Sequence, residues 1–312
     1  MNQKLAFFFP GQGSQSKGML AEMLASESIV QDTFAEASDV LGYDMQALVL
    51  DDADEKLGQT AFTQPALLTA STALFRLWKS RGGVMPSHMA GHSLGEYSAL
   101  VAADVMCFSD AVALVAFRGK MMTEAVPAGA GKMAAIIGLD DDVVVSLCED
   151  VSSDSDKVWA ANFNCLGQLV VAGHAKAVDR LMETAKGAGA KRALPLAVSA
   201  PSHTPLMQVA ADAMQEKLAH ITLNQPICAV WSNARAEVLQ DVNIIREALV
   251  EQLISPVRWT EIVQHISANG VESAIEMGPG KVLAGLVRRI DKNISVATVQ
   301  TSEDMNQAME SL

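Results

Sequence analysis

Apolar and polar positions run in blocks along this chain, and the blocks predict strands and helices taking turns. Leu5-Ala6-Phe7-Phe8-Phe9 is an unbroken apolar run, which reads as a strand over 5–9 buried on both faces. It stops at Pro10-Gly11, and Gly11-Gln12-Gly13 reads as a tight turn. Helical spacing follows near 18–41 and again at 64–81, the second beginning after Gln64-Pro65. Residues 88–91 read as a short strand that turns sharply into a helix over 94–103. Ser109-Asp110 then reads as the cap of a helix reaching about Glu124. Strands alternating with helices predict an α/β fold whose mainly parallel sheet is covered on both faces.

The pattern changes at Pro127-Ala128-Gly129-Ala130-Gly131, a flexible boundary. Strand spacing over 133–139, 157–163, 168–173 and 190–197 encloses helices at 141–150 and 174–188. That βαββαβ order is the ferredoxin-like arrangement. Beyond it come a helix at 205–220, a strand at 227–232, helices at 242–253 and 259–269, a strand at 272–276 and a helix at 281–290. The last dozen residues read as a weakly packed tail. We therefore expect a large α/β domain from 1–127 and 198–312, with a small ferredoxin-like subdomain inserted at 128–197.

Composition narrows the function classes. The chain has 312 residues, 50% hydrophobic and 19% charged, which suits a globular protein with ample core. No stretch approaches the roughly 20 apolar residues of a membrane span, and the N-terminal apolar run is too short for a signal peptide. The four cysteines, Cys107, Cys148, Cys165 and Cys228, show neither C-x-x-C nor metal-ligand spacing. Reduced thiols in a cytoplasm, with no metal, are the expectation. The net charge of −13 argues against nucleic acid. An anionic ligand must then find a local cationic cluster, for which Lys191-Arg192, Lys281 and Arg288-Arg289 are candidates.

Gly91-His92-Ser93-Leu94-Gly95 fits G-x-S-x-G, the nucleophile elbow, in which a strand-to-helix turn exposes the serine hydroxyl at a helix N-terminus. Chance supplies about one such match in ten chains of this composition, but this one falls where strand pattern becomes helix pattern. A serine needs a base. Of the six histidines, His92 adjoins the serine and should diverge from it, while His174, His220 and His265 sit at helix ends or on amphipathic helices. His203 lies in the Pro-pinned loop Ala200-Pro201-Ser202-His203-Thr204-Pro205, with Thr204 as a candidate N-cap. The positive end of the following helix would keep its imidazole neutral. The residues alone leave the choice of base open, and no carboxylate third member is evident.

Six segments now fall in one order: Phe9-Pro10-Gly11-Gln12-Gly13-Ser14-Gln15, Gln64-Pro65-Ala66, Gly91-His92-Ser93-Leu94-Gly95-Glu96-Tyr97, Arg118-Gly119, Pro201-Ser202-His203 and Glu276-Met277-Gly278-Pro279-Gly280. Over nearly its whole length the chain resembles the malonyl-CoA:acyl carrier protein transacylase family of bacterial fatty acid synthesis. The acyltransferase domains of polyketide synthases carry the same motifs. Ala200 departs from the valine expected before Pro-Ser-His.

The resemblance implies a hydrolase-like core beside the small subdomain, and roles residue by residue. Ser93 would be the nucleophile and His203 the base, with the backbone carbonyl of Gln252 orienting the imidazole in place of a carboxylate. The N–H groups of Gln12 and Leu94 would form the oxyanion hole. Arg118 would hold the free carboxylate of malonate in a two-pronged grip. Malonyl-CoA is then a substrate, no cofactor is expected, and the partner is an acidic acyl carrier protein docking transiently on a local basic patch. A serine hydrolase and a non-catalytic carrier-binding protein are the competing readings.

Overall fold

A computed structural model describes residues 1–198 and 200–312. The N-terminal part runs β1 (Asn2–Phe9), α1 (Ala21–Ser26), α2 (Ser28–Leu41), α3 (Met45–Leu50), α4 (Thr60–Ser80), β2 (Pro86–Gly91), α5 (Gly95–Ala102) and α6 (Phe108–Glu124). Then come β3 (Gly131–Ile137), α7 (Asp141–Val151), β4 (Val158–Cys165), β5 (Gln168–His174), α8 (Ala175–Gly187) and β6 (Arg192–Pro195). A 3-10 turn at Pro205–Met207 leads to α9 (Gln208–Leu218), β7 (Ala229–Trp231), β8 (Val238–Leu239), α10 (Val242–Ile254) and α11 (Trp259–Ala268). The chain closes with β9 (Ser273–Glu276), α12 (Val282–Ile290), β10 (Ser295–Thr298) and α13 (Ser302–Glu310).

Two sheets organise these elements. The larger has the order β10-β9-β1-β2-β7-β8, parallel throughout except where β8 folds back on β7. β1 lies inside it, which explains its continuous apolar run. Leu5, Phe7 and Phe9 enter one core and Ala6 and Phe8 the other. Phe7 meets Trp78 edge-on at 5.5 Å, and Phe8 meets Trp259 at 5.4 Å, so aromatic contacts pin helices to both faces. The smaller sheet, β4-β5-β3-β6, is antiparallel, and its order is the ferredoxin-like one the βαββαβ pattern predicts. α7 and α8 cover one of its faces. Met133, Ala135 and Val170 on the other line the cleft described below.

Several local expectations need correction. The stretch near 18–41 is two helices, because Glu27 is extended and its carboxylate is drawn outward to Arg81 Nη2 at 2.6 Å and Ser302 Oγ at 2.8 Å. α4 starts at Thr60, so Pro65 lies inside it rather than before it. Cys107, not Ser109, occupies the N-cap of α6, and no side chain caps that helix. The last dozen residues, expected as a weakly packed tail, carry the ordered helix α13. Thr301 and Asp304 form a reciprocal capping box at the start of α13, whose Met305 and Ala308 are buried.

Candidate active site

The turn from β2 into α5 sets the nucleophile. Ser93 takes a left-handed backbone, φ 53°, a conformation that costs a non-glycine residue free energy and is found where function over-determines it. The flanking glycines make that approach possible. A Cβ on Gly91 would overlap the backbone of Gly95, and one on Gly95 would overlap the Phe9 carbonyl. Asn233, in the loop after β7, ties the elbow together. Its Oδ1 accepts from Ser93 N at 2.6 Å and its Nδ2 donates to Gly91 O at 2.6 Å.

His203 reaches the serine from the other side, itself at φ 62°. Its Nε2 lies 2.8 Å from Ser93 Oγ and its Nδ1 2.7 Å from the carbonyl oxygen of Gln252. A carbonyl only accepts, so Nδ1 carries the proton and Nε2 offers its lone pair to the hydroxyl. Burial first, and the nearby Arg118 charge second, hold the imidazole far below its usual range, at about 3. The base is therefore neutral, but for reasons other than those expected from sequence. Thr204 does not cap a helix: its hydroxyl donates to Pro201 O at 2.7 Å, and α9 begins only after the 3-10 turn. His92 diverges as expected. It is half-buried, desolvation lowers its basicity, and its Nε2 lies 2.8 Å from Asn164 Oδ1 with its ring 5.7 Å from that of Trp259.

Arg118 sits inside α6 rather than in its last turn, so it is not a helix-end cation. It is 1% exposed. Gly119 beside it lets α6 press against α4, because a Cβ there would crowd Thr60 O and Ala61 Cα. That approach brings Arg118 Nη1 within 2.7 Å of Gln64 Oε1. Nη2 donates to Gln252 Oε1 at 2.9 Å and reaches Ser93 Oγ at 3.3 Å, while the guanidinium stands 5.4 Å from the Tyr97 ring centre. Every direct partner is neutral, and burial lowers the guanidinium below its ordinary pKa. A fork held by uncharged groups beside a nucleophile is suited to receiving a carboxylate.

These groups line a cavity of about 260 Å³ between the two sheets, with Gln12 and Leu94 in its wall. Among the described residues neither the Gln12 nor the Leu94 backbone N–H donates to another backbone carbonyl, so both are available to an oxyanion. All the site residues expected from sequence thus converge. Lys191, Arg192, Lys281, Arg288 and Arg289 are exposed and lie outside the cavity wall. Three supporting residues had no role in the sequence reading. Gln64 and Glu96 stood inside recognised segments, whereas Asn233 carried no signal. Among the described residues no group of three His, Cys, Asp or Glu gathers as a metal site, and no helix is long and apolar enough to cross a membrane.

Comparison with known proteins matches residues 6–309 to the acyl transferase domain model. The chain is 53% identical to the malonyl CoA-acyl carrier protein transacylase of Escherichia coli K12, over 98% of this chain and 99% of that one. Its fold superposes with TM-score 0.97 on a malonyl-transacylase solved in complex with a type II PKS acyl-carrier protein, at 50% identity, covering 99% of this chain and 100% of that one. An acyl carrier protein S-malonyltransferase from Vibrio cholerae superposes with TM-score 0.95 at 51% identity, covering 97% and 99%.

Proposed function

The chain belongs to the acyl transferase domain family, and on that premise we propose that it moves a malonyl group from coenzyme A to acyl carrier protein through an ester on Ser93. It is an acyltransferase, and in this reading its carrier serves fatty acid synthesis. The observation that carries the site assignment is the contact of one hydroxyl, Ser93 Oγ, with both the base His203 and the fork of Arg118.

Ser93 Oγ attacks the thioester carbonyl carbon as its proton passes to His203 Nε2. The resulting oxyanion faces the Gln12 and Leu94 N–H groups, each such donor being worth roughly 10²–10³ in rate. The C–S bond breaks, and His203 returns the proton to the departing coenzyme A thiolate. The carrier's phosphopantetheine thiol then gives its proton to His203 and attacks the ester, and Ser93 recovers its proton as it leaves. The Gln252 carbonyl holds the ring in the productive tautomer and faces the positive imidazolium, the task a carboxylate performs in other serine enzymes. Substrate binding also strengthens the base. A carboxylate on Arg118 offsets the charge that, after burial, is the second cause of the depressed His203 basicity.

The carrier docks, in this reading, on a basic rim. Arg289 donates to Leu166 O at 3.3 Å and to Gln168, at the β4–β5 turn. Gly138, which packs on the Lys191 stem, bonds Gly167 O at 2.8 Å in the same turn. Lys191, Arg192 and Arg289 therefore lie at one end of the small sheet, near α12, whose Val282, Leu283 and Leu286 line the cavity. We place the enzyme in the cytoplasm, where its four free thiols stay reduced. The reaction uses no cofactor beyond the coenzyme A thioester substrate. The test is intact mass after mixing with malonyl-CoA: one malonyl adduct, removed by holo carrier protein and missing from Ser93→Ala. A stable adduct in Ser93→Ala overturns the assignment.

A further inference from the structure

Arg118 poses an electrostatic problem that its direct contacts do not solve. A buried guanidinium costs several kcal/mol unless an opposite charge is near, yet Gln64, Gln252, Ser93 and Tyr97 are all neutral. The acid that stands behind them is Glu96, in the first turn of α5 and 0% exposed. Among the described residues it makes no ion pair: its Oε2 accepts from Gln252 Nε2 at 2.7 Å and from Asn233 N at 3.0 Å, and its buried Oε1 has no partner among them.

We propose that Glu96 is a positioning residue for acyl-group selection, which aims the Gln252 carboxamide at Arg118 and whose charge competes with the substrate carboxylate for that guanidinium. This rests on the malonyl-transfer reading above. The aiming follows from donor chemistry. Ionised Glu96 only accepts, as does the Ser93 carbonyl, 3.0 Å from Gln252 Nε2. The two turn the Gln252 amine toward themselves and leave its oxygen for Arg118 at 2.9 Å.

The competition follows from charge count. Arg118 and ionised Glu96 are one cation and one anion separated by a carboxamide, and malonate adds a second anion for the same cation. The charged and titratable groups facing Glu96 are Arg118 from α6, Glu251 from α10 and Tyr97 on its own helix. Glu251 is itself engaged by Arg235 at 2.6 Å. Burial pushes Glu96 up to about 7, against the opposing pull of the Gln252 and Asn233 hydrogen bonds and the Arg118 charge. A substrate carboxylate cancels the Arg118 contribution, so Glu96 takes a proton from solvent, with the partnerless Oε1 as its seat. Malonyl loading is then favoured when Glu96 is neutral, and opposed when pH rises through 7 and its charge develops.

The test is kcat/KM for loading of Ser93 by malonyl-CoA over that by acetyl-CoA, from pH 6 to 8.5, read by intact mass. Because kcat/KM reports the titration of the free enzyme, which is common to both substrates, the ratio removes that of His203, and acetyl has no carboxylate to compete with Glu96. In wild type the ratio should fall roughly tenfold as pH rises, the size expected of a screened charge pair several ångströms apart. Glu96→Gln keeps an acceptor for both N–H groups but no charge, so its ratio should be flat and should match or exceed the wild-type value at low pH. A purely structural Glu96 would leave the pH slope intact in that variant. Should the Gln variant not fold, proton uptake by wild type in weak buffer at pH 7 replaces it, expected on malonyl loading and absent on acetyl loading. Absence of any Ser93 ester overturns the transfer reading together with this one. An ester that forms with a pH-flat ratio, a slope retained in Glu96→Gln, or no proton uptake overturns the role of Glu96 alone.

Discussion

Replacing Arg118 by Ala separates the substrate's acid group from everything else the site does. In the native cavity the guanidinium is 1% exposed, braced by Gln64 at 2.7 Å and Gln252 at 2.9 Å, and 3.3 Å from the attacking oxygen. Without it a malonyl carboxylate would enter a buried space with no cation, and breaking such a pair costs about 3–5 kcal/mol. At roughly 1.4 kcal/mol per tenfold, malonyl transfer should fall by about 10²–10³ or more. Acetyl transfer should be spared or improved, because the same cation depresses His203 and offers an apolar acyl group nothing. Arg118→Lys should recover little, since one ammonium cannot reproduce the two-pronged contact. The assay is kcat/KM for malonyl-CoA over acetyl-CoA in wild type, Arg118→Ala and Arg118→Lys. The ratio discounts any general disturbance from the vacated volume. If it stays within about threefold of wild type, Arg118 is not the carboxylate receptor, and the substrate assignment fails with it.

The other predictions concern the base and the partner. His203→Ala should slow acylation by roughly 10²–10⁴, and near-normal acylation in that variant would move the role to His92. Because the folded His203 pKa is depressed to about 3, its lone pair persists as pH falls below the ordinary imidazole value, so kcat/KM for acetyl-CoA should hold at pH 5. By the same linkage, stability from this group is present above about 6.5 and is lost as pH falls toward 3. An acid limb centred near 6.5 would show that burial does not govern the base. Charge reversal at Lys191, Arg192, Lys281, Arg288 or Arg289 should raise KM for carrier about two- to fivefold each, as exposed pairs do, while loading from malonyl-CoA is unchanged. Equal damage to both half-reactions would place the docking surface elsewhere.

What the sequence could announce was what local rules dictate. The elbow is legible because two glycines and a serine must stand where strand becomes helix, and the small sheet because its βαββαβ order is written in spacing. Arg118, Gln252 and the oxyanion donors came from resemblance, since no local rule places α6, α10 and the β1 turn around one oxygen. The misses have tertiary causes. The break at Glu27 exists because a distant arginine and a serine of α13 claim its carboxylate, and helical spacing carries no trace of that. The C-terminal helix did carry a sign, Thr301-Ser302-Glu303-Asp304, a capping pattern outweighed by sparse apolar positions. Asn233 was invisible because the elbow groups it ties together, Gly91, Ser93 and Glu96, are all more than 100 residues away in sequence.

The small sheet and the elbow are also sewn together. His92, next to the nucleophile, holds Asn164 of β4. Val257, in the loop before α11, exchanges backbone bonds with that strand, accepting from Phe163 N and donating to Ala161 O, both at 2.9 Å. Thr260 adds a hydroxyl to Phe163 O at 3.1 Å. Anyone building chimeras of this enzyme inherits a constraint from that seam. Transplanting 128–197 from a relative as a cassette would leave Val257 and Thr260 facing a foreign β4, and the mismatch would travel through one side chain to the acyl-bearing serine. A working exchange has to move the 257–260 segment along with the insert, although more than 50 residues separate them in the chain.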